Sequence, residues 1–80
     1  MLNFTGEQIR GARAMVRIEQ GDLASRAGVS VDTIKRIERT VGLVSANVQT
    51  LSAIVRALEA AGVEFIPENG GGAGVRLRKA

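Results

Sequence analysis

The 80-residue chain has no cysteine, histidine, tryptophan or tyrosine, and Phe4 and Phe65 are its only aromatic residues. Without thiols there is no disulfide framework, and without histidine as well there is no Cys/His zinc site. Ser-His-Asp and Cys-His catalysis are excluded on the same grounds. Two phenylalanines are too few for the stacking platforms on which single-strand and RNA binders lay bases. No apolar run approaches membrane-spanning length, and the start Met1-Leu2-Asn3-Phe4 lacks the charge and apolar block of a signal peptide. These absences fit a cytoplasmic protein that is not an enzyme, has no membrane association, and needs no metal, cofactor or small-molecule ligand.

What remains is ordinary for one folded domain over residues 1–80, with 45% hydrophobic and 24% charged residues. The core has to come from Val, Ile, Leu, Ala and Met, and at this size it leans on close helix packing or a partner subunit. The net charge is only +3, yet nine of the eleven cations are arginine, the side chain best suited to phosphate and guanine. A solvated basic surface would have the same composition, so charge alone decides nothing.

Thr5 with Gln8 forms a capping-box pattern, and Ile9, Ala12 and Val16 share one helical face, so a first helix is expected over about 6–16. Gly11 weakens it relative to alanine. A second helix over about 20–27 turns Leu23, Ala24 and Ala27 inward and ends at Gly28. Ser30 caps a third helix, with Asp32 in its first turn and Ile34 and Ile37 as its apolar stripe. The segment Thr40–Ser45 has no period. Val48, Leu51, Val55 and Leu58 then mark a fourth helix over about 47–61, capped by Asn47 or Ser45 and closed by Gly62. Val63–Ile66 and Val75–Arg78 alternate as strands around a glycine-rich loop, with Val63, Phe65, Val75 and Leu77 facing the core and Glu64 facing Arg76 and Arg78. A flexible linker and tail is the other reading of the glycine run.

Residues 20–38 carry the functional pattern. A small residue at Ala24 lets two helices cross closely, Gly28 makes the turn, Val29 plugs its inner side, and Ile34 and Ile37 anchor the following helix. That leaves the opposite face of the third helix open to a DNA groove. Gln20-Gly21-Asp22-Leu23-Ala24, Ala27-Gly28-Val29-Ser30 and Thr33-Ile34-Lys35-Arg36-Ile37-Glu38 resemble the phage-repressor and Cro-like helix-turn-helix family, over roughly residues 6–61. Residues 58–66 are more loosely similar to a compact bacterial subgroup that ends in a strand pair. The resemblance implies a mainly α, lambda-repressor-like four-helix domain with a C-terminal β-hairpin over about 63–78.

It also implies a bacterial or phage transcriptional regulator, a repressor, that binds double-stranded DNA as a homodimer on a near-palindromic operator. Its recognition helix is about 30–40. The family's base-reading positions fall on Val31, Asp32, Thr33 and Arg36, with Arg36 the strongest reader if it meets guanine bidentately, for about 1–3 kcal/mol of discrimination. Gln20, Lys35, Arg39 and Thr40 fall on phosphate positions. Arg13 and Glu38 match a structural pair that joins the first helix to the third. Asp32 departs from a cationic face; it reads a cytosine amino group, orients Arg36, or merely starts the helix. Glu19 and Gly21 depart from the usual cap and helix former and suggest a frayed start to the second helix.

Phe65, Ile66 and Val75 are the expected dimer interface, while Arg76, Arg78 and Lys79 could instead grip flanking phosphates. The run Gly70–Gly74 lacks the lysine and hydroxyl residue of a phosphate loop and precedes a strand, so it reads as a plain loop. Serines near Lys35 and the carboxylates Glu64 and Glu68 have no pocket that would make them catalytic. The competing function is a protein-interaction module, an antitoxin or adaptor that uses an edge strand to bind a partner protein.

Overall fold

The computed structural model describes residues 3–79. Four helices, α1 (Gly6–Val16), α2 (Gln20–Ala27), α3 (Val31–Arg39) and α4 (Val48–Ala60), are followed by the antiparallel strands β1 (Val63–Ile66) and β2 (Gly74–Leu77). The chain is therefore mainly helical with a small C-terminal sheet, and the glycine run is the loop of a hairpin.

Local chemistry sets the helix ends. The Thr5–Gln8 box is complete: the Thr5 hydroxyl accepts from the Gln8 amide at 3.0 Å, and the Gln8 Oε1 accepts from the Thr5 amide at 2.8 Å. Gly28 closes α2 at φ 70°, and Ser30 caps α3 by accepting from the Thr33 amide. Asn47, not Ser45, caps α4 through the Gln49 and Thr50 amides. Glu19 gives α2 no side-chain cap bond. Ala61 is the C-cap of α4, and Gly62 follows it at φ 117°. Arg17 ends α1 in a left-handed conformation at φ 60°, where glycine or asparagine is the commoner choice.

The core is one cluster in which Ile9, Leu23, Ile34, Ile37, Ile54, Leu58 and Val63 are sealed from solvent, with Ala12, Ala24, Leu51 and Val55 filling between them. Two expectations need correcting. Val48 is exposed although its spacing sets it on the same side as Leu51 and Val55, because it is the first residue of α4 and stands at the end of the buried stripe, which Ile54 completes with Leu51, Val55 and Leu58. Leu77 is 60% exposed although it pairs in register with the buried Val63. The hairpin lies across α1 and α4, and β2 continues past the packed part of that face.

Two glycines of α1 differ in what surrounds them. A Cβ on Gly6 would stand 2.1 Å from the Thr40 carbonyl oxygen and 2.7 Å from that of Ile37. The start of α1 is thus pressed against the end of α3 at a spacing only glycine permits. A Cβ on Gly11 would meet the Val75 methyl at 3.6 Å, ordinary van der Waals contact. Gln8, buried to 3% exposure, reaches the sheet by donating from Nε2 to the Ile66 carbonyl at 3.2 Å and the Gly74 carbonyl at 3.1 Å. Its whole amide is thereby satisfied, which burial demands.

Candidate nucleic-acid interface

The buried side of α3 is Ile34, Ile37 and Glu38. Asp32, Lys35, Arg36 and Arg39 stand at i, i+3, i+4 and i+7 on the opposite face, all exposed, with Val31 beside them at 37% exposure. This stripe carries three cations against one carboxylate. Among the described residues, Lys35, Arg36 and Arg39 have no side-chain hydrogen bond or ion pair, so their charges are uncommitted. Asp32 has no ion-pair partner among them either, and the orienting contact to Arg36 is not made; the acid–arginine pair one turn apart is Asp22–Arg26 on α2, at 3.2 Å.

Glu38 anchors this helix from behind. Its side chain is 4% exposed and accepts from Arg13 Nε at 2.6 Å, Arg13 Nη2 at 3.0 Å and Gln20 Nε2 at 3.1 Å. The remaining Arg13 nitrogen, Nη1, donates to the Ile18 carbonyl at 2.9 Å. A planar guanidinium supplies this fork where a lysine could not. Hydrogen bonding to Glu38 raises the Arg13 pKa above its usual value, so the guanidinium stays charged. The expected Arg13–Glu38 pair is therefore present, and Gln20 joins it by bracing α2 against α3.

The hydroxyls on α3 are partly engaged. Thr33 Oγ1 lies 2.9 Å from Ser30 Oγ at the cap, and Thr40 Oγ1 donates to the Arg36 carbonyl at 3.1 Å. Thr33 is half-buried, so its contribution to an outward surface is smaller than that of Arg36.

Two groups of contacts escaped sequence reading, one at the end of α3 and one beyond it. Arg10 Nη1 donates to the Glu38 carbonyl at 2.9 Å, satisfying an orphan acceptor in the last turn of α3. Beyond α3, the Gly6 amide donates to the Gly42 carbonyl at 3.1 Å, and the Gly42 amide donates to Glu7 Oε1 at 3.1 Å. The Val44 amide donates to the Phe4 carbonyl at 2.9 Å, and Thr5 bridges Leu43. The connection after α3 is thus laced to the start of α1. Hydrogen bonds from backbone amides, its own and then that of Gly42, hold the Glu7 carboxyl below its ordinary pKa. The only local hint was an acidic residue in a first turn.

The residues expected at a hairpin dimer contact are largely engaged within the chain. Phe65 meets Phe4 edge-to-face with ring centroids 5.2 Å apart, and Val75 packs over Gly11. Ile66 is half-buried, its carbonyl taken by Gln8. Arg76 pairs with Glu64 at 2.6 Å, and Arg78 Nη2 donates to the Glu59 carbonyl at 2.8 Å. Lys79 is exposed.

No protein-family model matches the chain, and a search of curated proteins finds no significant relative. Among the described residues no helix is long and apolar enough to cross a membrane.

Proposed function

We propose that the chain is a sequence-specific double-stranded DNA-binding regulator whose α2 and α3 act as a helix-turn-helix, with α3 in the major groove. One observation carries the reading: α3 exposes Lys35, Arg36 and Arg39 on one face, while Glu38 ties its opposite side to Arg13 and Gln20. A groove-reading helix needs both features, an uncommitted cationic face and a rigid mount. Arg36 reads a base edge, Lys35 and Arg39 hold phosphates, and Val31 packs on a thymine methyl. A single such helix touches few base pairs, so the working unit is a dimer on a near-palindromic site.

Fluorescence titration against genomic duplex fragments at two salt concentrations tests this. A DNA reader binds a subset of fragments and loses affinity steeply as salt rises. Weak attraction without selection at either salt would refute it and favour a protein-interaction module.

A further inference from the structure

The two most exposed large apolar side chains lie in the connection that follows α3, Val41 at 88% and Leu43 at 65%, with Val48 at 56% just beyond; among the described residues of the hairpin only Leu77, at 60%, is comparably exposed. Leu43 stands as a ridge between two grooves. One, of about 310 Å³, is lined chiefly by Val44, Ala46, Val48 and Leu51 and holds no charged residue; the other, of about 440 Å³, is lined by Thr5, Gly42, Pro67, Ala73 and Glu68, whose carboxylate accepts from the Gly70 and Gly72 amides. We propose that a second copy of this chain docks on this ridge, each Leu43 entering a groove of its partner about a two-fold axis.

Charge selects this occupant. The nine residues Thr40–Val48 contain no Asp, Glu, Lys or Arg, in a chain whose net charge is +3. Two identical positive molecules meet at lowest electrostatic cost through an uncharged surface, and the centres of protein interfaces are depleted in charge. Strand β2, by contrast, is followed by Arg78 and the exposed Lys79, and although Glu64 pairs Arg76, a contact there would bring Arg78 and Lys79 of two copies together. A ridge flanked by grooves is also self-complementary, as a two-fold contact requires.

The ridge is preformed. Leu43 sits between the Gly6–Gly42 and Phe4–Val44 backbone bonds, so its side chain is offered from a fixed backbone and little order has to be gained on docking. A two-fold dimer of this kind would offer two copies of α3 to one duplex. That use of the dimer rests on the regulator reading, whereas the contact itself is measurable without DNA.

Sedimentation equilibrium of the full chain, free of DNA, over a range of micromolar concentrations provides the test, with Leu43→Glu and Leu77→Glu as paired variants. The parent dimerises, Leu43→Glu weakens association by about 30-fold or more, as loss of a central anchor does, and Leu77→Glu leaves it within about threefold. Circular dichroism melting checks folding. Should Leu43→Glu melt early, Val41→Glu takes its place, since Val41 touches little of its own chain. A parent that stays monomeric, or dissociation by Leu77→Glu and not by the ridge variants, overturns the proposal. A dimer that obeys these results yet ignores DNA keeps the contact and removes the regulator function.

Discussion

Arg13 grips the Glu38 carboxylate with two parallel bonds, Nε to Oε2 at 2.6 Å and Nη2 to Oε1 at 3.0 Å, across a separation of 25 residues. The pair fixes how α3 is rotated on α1, and so which residues α3 turns outward. Arg13→Ala leaves a buried carboxylate with Gln20 as its one remaining side-chain donor. The loss should be about 3 kcal/mol, the low end for a shielded pair, because Arg13 keeps 21% of its side-chain exposure. Gln20→Ala removes one bond to a charged acceptor and should cost about 1.5 kcal/mol. Urea unfolding of both variants checks the order; an Arg13→Ala protein as stable as the parent would contradict the geometry.

Two glycines of the same helix should respond with opposite sign. Gly6→Ala drives a methyl into the Thr40 and Ile37 carbonyls, both backbone atoms that cannot swing aside, and should cost about 3 kcal/mol or more. Gly11→Ala finds room against Val75 and gains helix propensity, so it should stabilise by about 0.5–1 kcal/mol. Thermal melts of the two variants separate tight packing from helix propensity.

Acid should weaken the fold through two surface carboxylates. Amide hydrogen bonds lower the pKa of Glu7, and hydrogen bonding to Arg76 lowers that of Glu64, both from 4.5. A folded-state pKa below the unfolded one gives stability that is present above about pH 4.5 and is lost as pH falls through the depressed value. Glu7→Gln and Glu64→Gln should each flatten the acid limb of a stability-versus-pH curve. Added salt should erase more of the Glu64 effect, since an exposed ion pair is screened whereas an amide bond is not. Equal salt sensitivity would mean that Glu7 also acts mainly by long-range charge.

Sequence reading located the helices because their ends are written locally, in Thr5 with Gln8, Gly28, Ser30 and Asn47. It located the Arg13–Glu38 pair through the family resemblance. It went astray where a residue's environment is made by distant chain. Val48 fits an apolar spacing yet stands at the end of the buried stripe, which Ile54 completes where α2 and β1 pack against α4. Leu77 alternates correctly but lies past the covered part of its face. Gln8 is legible as a box residue, whereas its bonds to the carbonyls of Ile66 and Gly74 span 58 and 66 residues and leave no local mark. At the candidate interface, helical spacing showed that the face opposite Ile34 and Ile37 is turned outward, and the family resemblance picked out Lys35, Arg36 and Arg39 on it. The lacing of Gly6, Glu7 and Gly42 beneath them was not legible.

Substitutions on the outer face of α3 should divide by role. Arg36→Ala should relax preference at one position in each half-site, at about 1–3 kcal/mol. Lys35→Ala should weaken all sequences alike and lower the salt slope by about one. Competition titrations against single-base operator variants at two salt concentrations distinguish these outcomes. A uniform loss for Arg36→Ala would move it to the phosphate group.

Selection of binding sites from a random duplex pool by the purified chain tests the central claim most directly, that α3 reads DNA. The account predicts enrichment of two inverted half-sites whose centres lie about one helical turn apart. It also predicts that Arg36→Ala loses the preference at one base pair in each half. A pool that remains random after repeated rounds, at a salt concentration where the chain still binds DNA, would contradict it.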